Sequence, residues 1–126
     1  MKKNMNLTNA EEKVMEKIWD MGKTVTVLEM VELLNAAGEE WAYQTVATFL
    51  KHLEEKGFLS VTKTGKKLYY YPIVSKNQFM RAKAEGFLDA TFDGSFTNFL
   101  SAFSGSKKVG KKEVQALKAW LDEYDN

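Results

Sequence analysis

The sequence predicts a mostly α-helical protein with one small β-hairpin, divided in two near its single proline, Pro72. Three observations carry this. Capping boxes at Thr8/Glu11, Thr26/Glu29 and Ser75/Gln78 open apolar runs of helical period. In "FLSVTKTGKKLYYYPI" the period changes to two. Pro72 then breaks the chain before a helical period returns.

The elements follow in order. Behind the Thr8 box, Val14, Ile18 and Trp19 recur at helical spacing, so a first helix runs from about residue 8 to Asp20, where "DMGK" ends it. Behind Thr26, the residues Val27, Met30, Val31 and Leu34 line a short second helix that Gly38 stops. "YQTVATFLKHLEEKG" supplies a third, from about Ala42 to Lys56, ended by Gly57. Leu59 and Val61, then Leu68 and Tyr70, alternate with polar neighbours as strands with one buried face, and Thr64, Gly65 and Lys66 form the turn between them. Three helices and a hairpin, with "GEEW" setting helices two and three at a steep angle, give a winged helix-turn-helix domain over residues 1–74.

Residues 75–126 read as a second, helical domain. Phe92, Phe96, Phe99 and Phe103 form one heptad-like stripe, and Val114, Leu117, Leu121 and Tyr124 form another. A unit this small buries too little surface to stand by itself, so it needs either the first domain or a second copy, and a symmetric dimer is the preferred arrangement. The apolar positions expected at that contact are Phe79, Phe87, Phe96, Phe99, Phe103, Leu117, Trp120 and Leu121.

Composition narrows the function. With 126 residues, 44% of them apolar, the chain holds one compact domain or a small domain with an accessory element. The opening "MKKNMNLTNAEEK" has no apolar signal-peptide core and no stretch reaches the roughly 18 apolar residues of a membrane span, so a cytoplasmic protein with no membrane insertion is expected. The absence of cysteine excludes a disulfide framework, a thiolate nucleophile and a thiolate metal site. The lone His52 has no companion ligand, and Glu54 and Glu55 diverge by about 100° on their helix, so neither a metal, a cofactor nor an enzyme is expected. "GSKKVGKK", 105–112, departs from a phosphate-binding P-loop because Lys112 stands where Ser or Thr would hold magnesium and no strand precedes it; it reads as a basic, flexible connection.

The third helix carries the functional signal. Val46, Phe49, Leu50 and Leu53 point one way and Gln44, Thr48, Lys51 and Glu55 the other, with Thr45, Ala47 and His52 on the flanks. As the second helix of a helix-turn-helix, its N-terminal turn offers Gln and Thr groups suited to base edges or phosphates. The net charge is only +1 and ten lysines offset ten acids in residues 1–74, yet Lys56, Lys63, Lys66 and Lys67 fall together with no acid among them. Beside Tyr69 and Tyr71 these lysines are placed to straddle phosphates, although lysines also guard exposed strand edges.

"LTNAEEKVMEKIWD", "YQTVATFLKHLEEKGFLSVTKTGKKLYYYP" and "GSFTNFLSAF" stand in the order and spacing of the BlaI/MecI/CopY penicillinase-repressor family, which the chain resembles from residue 7 to about 104. The resemblance is most specific in the Thr-Val-x-Thr-x-Leu-x-x-Leu helix core, the "EEKG" stop and the wing ending in Tyr-x-Pro. It implies a homodimeric transcriptional repressor that binds inverted repeats in promoters of double-stranded DNA, with an N-terminal winged helix and a C-terminal helical dimerisation domain. By position it places Gln44, Thr45, Ala47, Thr48 and Lys51 in or beside the major groove and Lys63, Lys66, Lys67 and Tyr69 on the wing. Ala47 departs from members with a long polar side chain there, and Tyr69 and Tyr71 stand where arginine is frequent. Members that govern antibiotic resistance are inactivated when a membrane sensor protease triggers cleavage at an Asn-Phe bond. Aligning Gly94 and Phe103 puts that bond at Ala102-Phe103, without the asparagine, while an Asn98-Phe99 pair lies one turn earlier and out of register. The copper-responsive branch's cysteine-rich tail has no counterpart here. A second reading, of another class, makes the winged helix a protein-interaction module that docks a sensor or other regulatory partner.

Overall fold

The structure is a computed structural model that describes residues 5–103 and 109–125. In chain order it contains α1 (Asn9–Met21), α2 (Val27–Ala36), α3 (Tyr43–Glu55), β1 (Leu59–Thr64), β2 (Lys67–Pro72), α4 (Lys76–Phe92), α5 (Phe96–Ser101) and α6 (Lys111–Asp125). These fall into two compact units, Met1–Ala84 and Glu85–Asn126.

In the first unit the predicted boxes close as drawn. The Thr8 hydroxyl accepts from the Glu11 N–H at 3.2 Å while the Glu11 carboxylate accepts from the Thr8 N–H at 2.8 Å, and Thr26 with Glu29 repeats the pair at 3.2 and 3.0 Å. The "EEKG" stop is a Schellman turn. With Gly57 at φ 86, its N–H reaches the Glu54 carbonyl and the Phe58 N–H reaches the Leu53 carbonyl at 2.9 Å, while Phe58 and Leu53 are both fully buried. This turn swings the chain from the end of α3 into the wing, so the helix stop also aims the hairpin.

The hairpin pairs antiparallel from Leu59↔Pro72 to Thr64↔Lys67, with Gly65 at φ 63 in the first position of its two-residue loop. Val25 adds a bridge that the sequence pattern does not announce: its N–H and carbonyl exchange 2.8 Å bonds with Tyr70, tying the wing to the segment before α2. The core gathers Val14, Met15 and Ile18 of α1, Met30 and Leu34 of α2, and Val46, Leu50 and Leu53 of α3 beneath Phe58, Leu59 and Tyr70.

Three expectations are corrected here. Leu68 alternates with the buried positions but is 39% exposed, because the outer half of the hairpin runs past the edge of the core. Phe79, expected at the contact between copies, is instead 4% exposed within one chain, wedged with its ring 5.7 Å from Trp19 and 5.7 Å from Phe58. The start of α4 belongs with the first unit, which reaches Ala84 rather than ending at 74. Phe79 anchors it there, and Lys76–Glu16 (3.1 Å) and Lys83–Glu12 (2.7 Å) fasten it along α1. The Ser75/Gln78 box caps this helix as expected.

In the second unit the phenylalanine stripe is not one continuous helix. Phe92 ends α4, the chain turns through Asp93 (φ 51) and Gly94 (φ 77), and Phe96 opens α5. A side chain at Gly94 would also meet the Asp89 carboxylate, its Cβ 3.1 Å away, so the turn requires glycine. The turn still gathers the rings: Phe92 and Phe99 meet edge-on at 5.6 Å, Phe99 and Phe103 at 5.2 Å, and Phe96 lies 6.1 Å from Trp120 of α6. None of this unit's described residues is buried. Residues 105–108 of the predicted basic connection lie outside the described residues, and its end, Lys111–Lys112, opens α6.

Candidate nucleic-acid interface

Helix α3 starts differently from its neighbours. Ala42 precedes it with no side-chain cap, and its first turn holds no acidic residue, whereas α1 and α2 each carry a capping hydroxyl and a first-turn glutamate. The positive end of its dipole is therefore uncompensated by its own sequence and favours an anion or an acceptor edge.

Gln44, Thr45, Thr48 and Lys51 are exposed on this helix and Ala47 is half-buried. A groove runs between α3 and the wing, lined by Gln44, Ala47, Thr48 and Lys51 on one side and Val61, Leu68 and Tyr70 on the other, with Glu54 at its edge. Thr45 is exposed but does not line this groove. The strand register puts Lys63 opposite Leu68, on the hairpin face turned toward α3, and Tyr69 opposite Thr62, on the other face. Tyr69 thus lies on the hairpin face away from Gln44, Thr48 and Lys51, with which the sequence groups it.

The exposed side chains of α3 are not equivalent. The Thr48 hydroxyl donates to the Gln44 carbonyl at 2.9 Å, so it is left to accept and to offer its methyl group. No described residue bonds the Gln44 amide, which keeps its donors and its acceptor for a base edge. Burial raises the pKa of the Tyr70 phenol, and the nearby Glu54 and Tyr43 add to that.

The lysines of the first unit differ in their partners. Lys13, Lys23, Lys56, Lys76 and Lys83 are each in an ion pair with a glutamate. Lys51, Lys63, Lys66 and Lys67, on α3 and the wing, have no ion-pair partner among the described residues, and neither does Lys17 on α1. Lys56, counted with the wing cations from sequence, turns away to Glu11 at 2.6 Å and to the Asn6 carbonyl at 3.3 Å. Burial pushes the Glu11 carboxyl up, but the Lys56 ammonium and the Thr8 amide more than offset this and hold its pKa below the ordinary carboxylate range. That pair is structural.

No cluster of three His, Cys, Asp or Glu side chains suited to a metal occurs among the described residues. None of the described helices is long and apolar enough to cross a membrane. Sequence reasoning left Tyr43 and Leu28 unassigned and took Leu68 for core, yet all three stand exposed beside the wing tip.

The family model described as penicillinase repressor matches residues 7–123. The penicillinase repressor of Bacillus licheniformis is 26% identical over 126 residues, spanning 100% of this chain and 97% of its own. The methicillin resistance regulatory protein MecI of Staphylococcus aureus (strain N315) is 24% identical over 121 residues, 96% of this chain and 97% of its own. Among solved structures, the DNA binding domain of the repressor BlaI superposes with a TM-score of 0.53 at 29% identity, covering 62% of this chain and 93% of that domain.

Proposed function

We propose, from the premise that this chain belongs to the penicillinase repressor family and is a transcriptional repressor of winged-helix fold, that two copies occupy an inverted-repeat operator and repress by occupancy alone. The observation that carries this is that Lys51, Lys63, Lys66 and Lys67, on α3 and the wing, have no ion-pair partner among the described residues, beside an uncapped start of α3. Lys63, Lys66 and Lys67 contact phosphates, which gives affinity without sequence preference, while Gln44 and Lys51 read bases and Thr45 and Thr48 contribute beside them. The second unit holds the two copies together, since its aromatic cluster has no buried member in one chain. Repression ends when a membrane sensor protease triggers cleavage at Ala102-Phe103. That bond is at the C-cap of α5, where the Ala102 N–H still bonds the Asn98 and Phe99 carbonyls, and the cut would part Phe103 and α6 from the other phenylalanines.

Substituting Lys66→Ala together with Lys67→Ala should weaken binding to operator and random duplex alike and make the slope of log K against log salt shallower by about 2, from roughly 0.9 per phosphate contact. An unchanged slope in an anisotropy titration would take the wing off the phosphates. Gln44→Ala should lower operator affinity by about 1–3 kcal/mol with little effect on random duplex. Thr48→Ala should cost less, because its hydroxyl hydrogen is already engaged. Equal losses for Gln44→Ala on both duplexes would remove Gln44 from base readout.

A further inference from the structure

The exposed apolar residues of the first unit are not all scattered. Leu28 is 58% exposed and Tyr43 55%, and both line one notch with Leu68, over a floor formed by Val27. Lys66 and Lys67 form its rim. The notch thus joins the first turn of α2, the first residue of α3 and the wing tip, and Leu68 lines both it and the groove that holds Gln44 and Lys51. Lone exposed apolar side chains need no explanation, but three around one depression, rimmed by cations without partners, form a surface that is apolar within and positive at its edge.

We propose that this notch is a second DNA contact, a seat for one deoxyribose and its phosphate from the strand that borders the α3 groove. The occupant is set by chemistry and by continuity. A sugar ring presents carbon to Leu28, Leu68 and the Tyr43 ring, and its attached phosphate falls to Lys66 and Lys67. A backbone strand leaving the α3 groove meets the notch next, because Leu68 lines both. The contact is to backbone, so it positions the protein without reading sequence. This inference rests on the DNA-binding reading given above.

The test uses the full chain with Leu28→Ala and Tyr43→Ala, titrated by anisotropy against the promoter of its own gene and against a random duplex of equal length over a range of salt. Both side chains are exposed, so both variants should melt close to the wild type. Each should weaken binding several-fold and equally on the two duplexes. The salt slope should stay at the wild-type value, since an apolar contact releases no counterions. Wild-type affinity in both variants would overturn the notch while leaving the repressor reading intact, and so would a loss confined to the promoter duplex, which would mean a base contact. A wild type that binds neither duplex would instead remove the DNA-binding reading, and the notch with it.

Discussion

Leu121→Asp in the full chain is expected to give a monomer by light scattering and to reduce operator affinity by a factor of about 10²–10⁴, the avidity lost when two linked half-sites become two separate encounters. Leu121 is 45% exposed on α6 and belongs to the same unit as the ring cluster of Phe87, Phe92 and Phe99. Burying one leucine contributes about 1.5–3 kcal/mol, and a two-fold contact uses each residue twice, so one substitution places two carboxylates in the interface. The substitution leaves the winged unit unaltered. Residual binding to random duplex should therefore survive, at the level the lysines alone provide. A Leu121→Asp chain that remained dimeric would move the contact elsewhere on this unit, and a monomeric wild type would remove it.

Phe79→Ala is expected to destabilise the winged unit by about 3–5 kcal/mol in urea denaturation, the range for deleting a buried aromatic ring. Phe79 fills the space between Trp19 and Phe58, and the Trp19 indole N–H is itself fixed by the Val74 carbonyl at 2.9 Å, so the surroundings have little room to collapse into the cavity. Under native conditions the variant should still be a dimer. The opposite pattern, a wild-type urea midpoint with a monomer in light scattering, would return Phe79 to the dimer contact assigned from sequence.

That assignment shows which features sequence can carry. Local features were legible because the residues that decide them are neighbours: Thr8 with Glu11, Thr26 with Glu29, and the "EEKG" stop that became a Schellman turn. The polar face of α3 was legible because it is the complement of Val46, Leu50 and Leu53. Features set by distant partners were not. A count of charges could not show that Lys56 finds Glu11 across 45 positions. Alternation does not say where the core ends, so it predicts a buried Leu68, and spacing does not show that Gly94 turns the phenylalanine stripe between two helices. Nothing local marks Val25 as a partner of Tyr70, beyond a β-branched run at 24–27. The notch beside Tyr43 escaped for the same reason, since it exists only where the wing tip comes to rest.

The central claim, that two copies of this chain repress by occupying an operator through α3 and the wing, is tested most directly by titrating the full chain against the promoter of its own gene and a shuffled duplex of equal length at about physiological salt, with the stoichiometry read by sedimentation. The account predicts saturable binding of two chains per promoter site, at least about 10³-fold tighter than on the shuffled duplex. Equal affinity for the two duplexes, or a single chain per site, would contradict it.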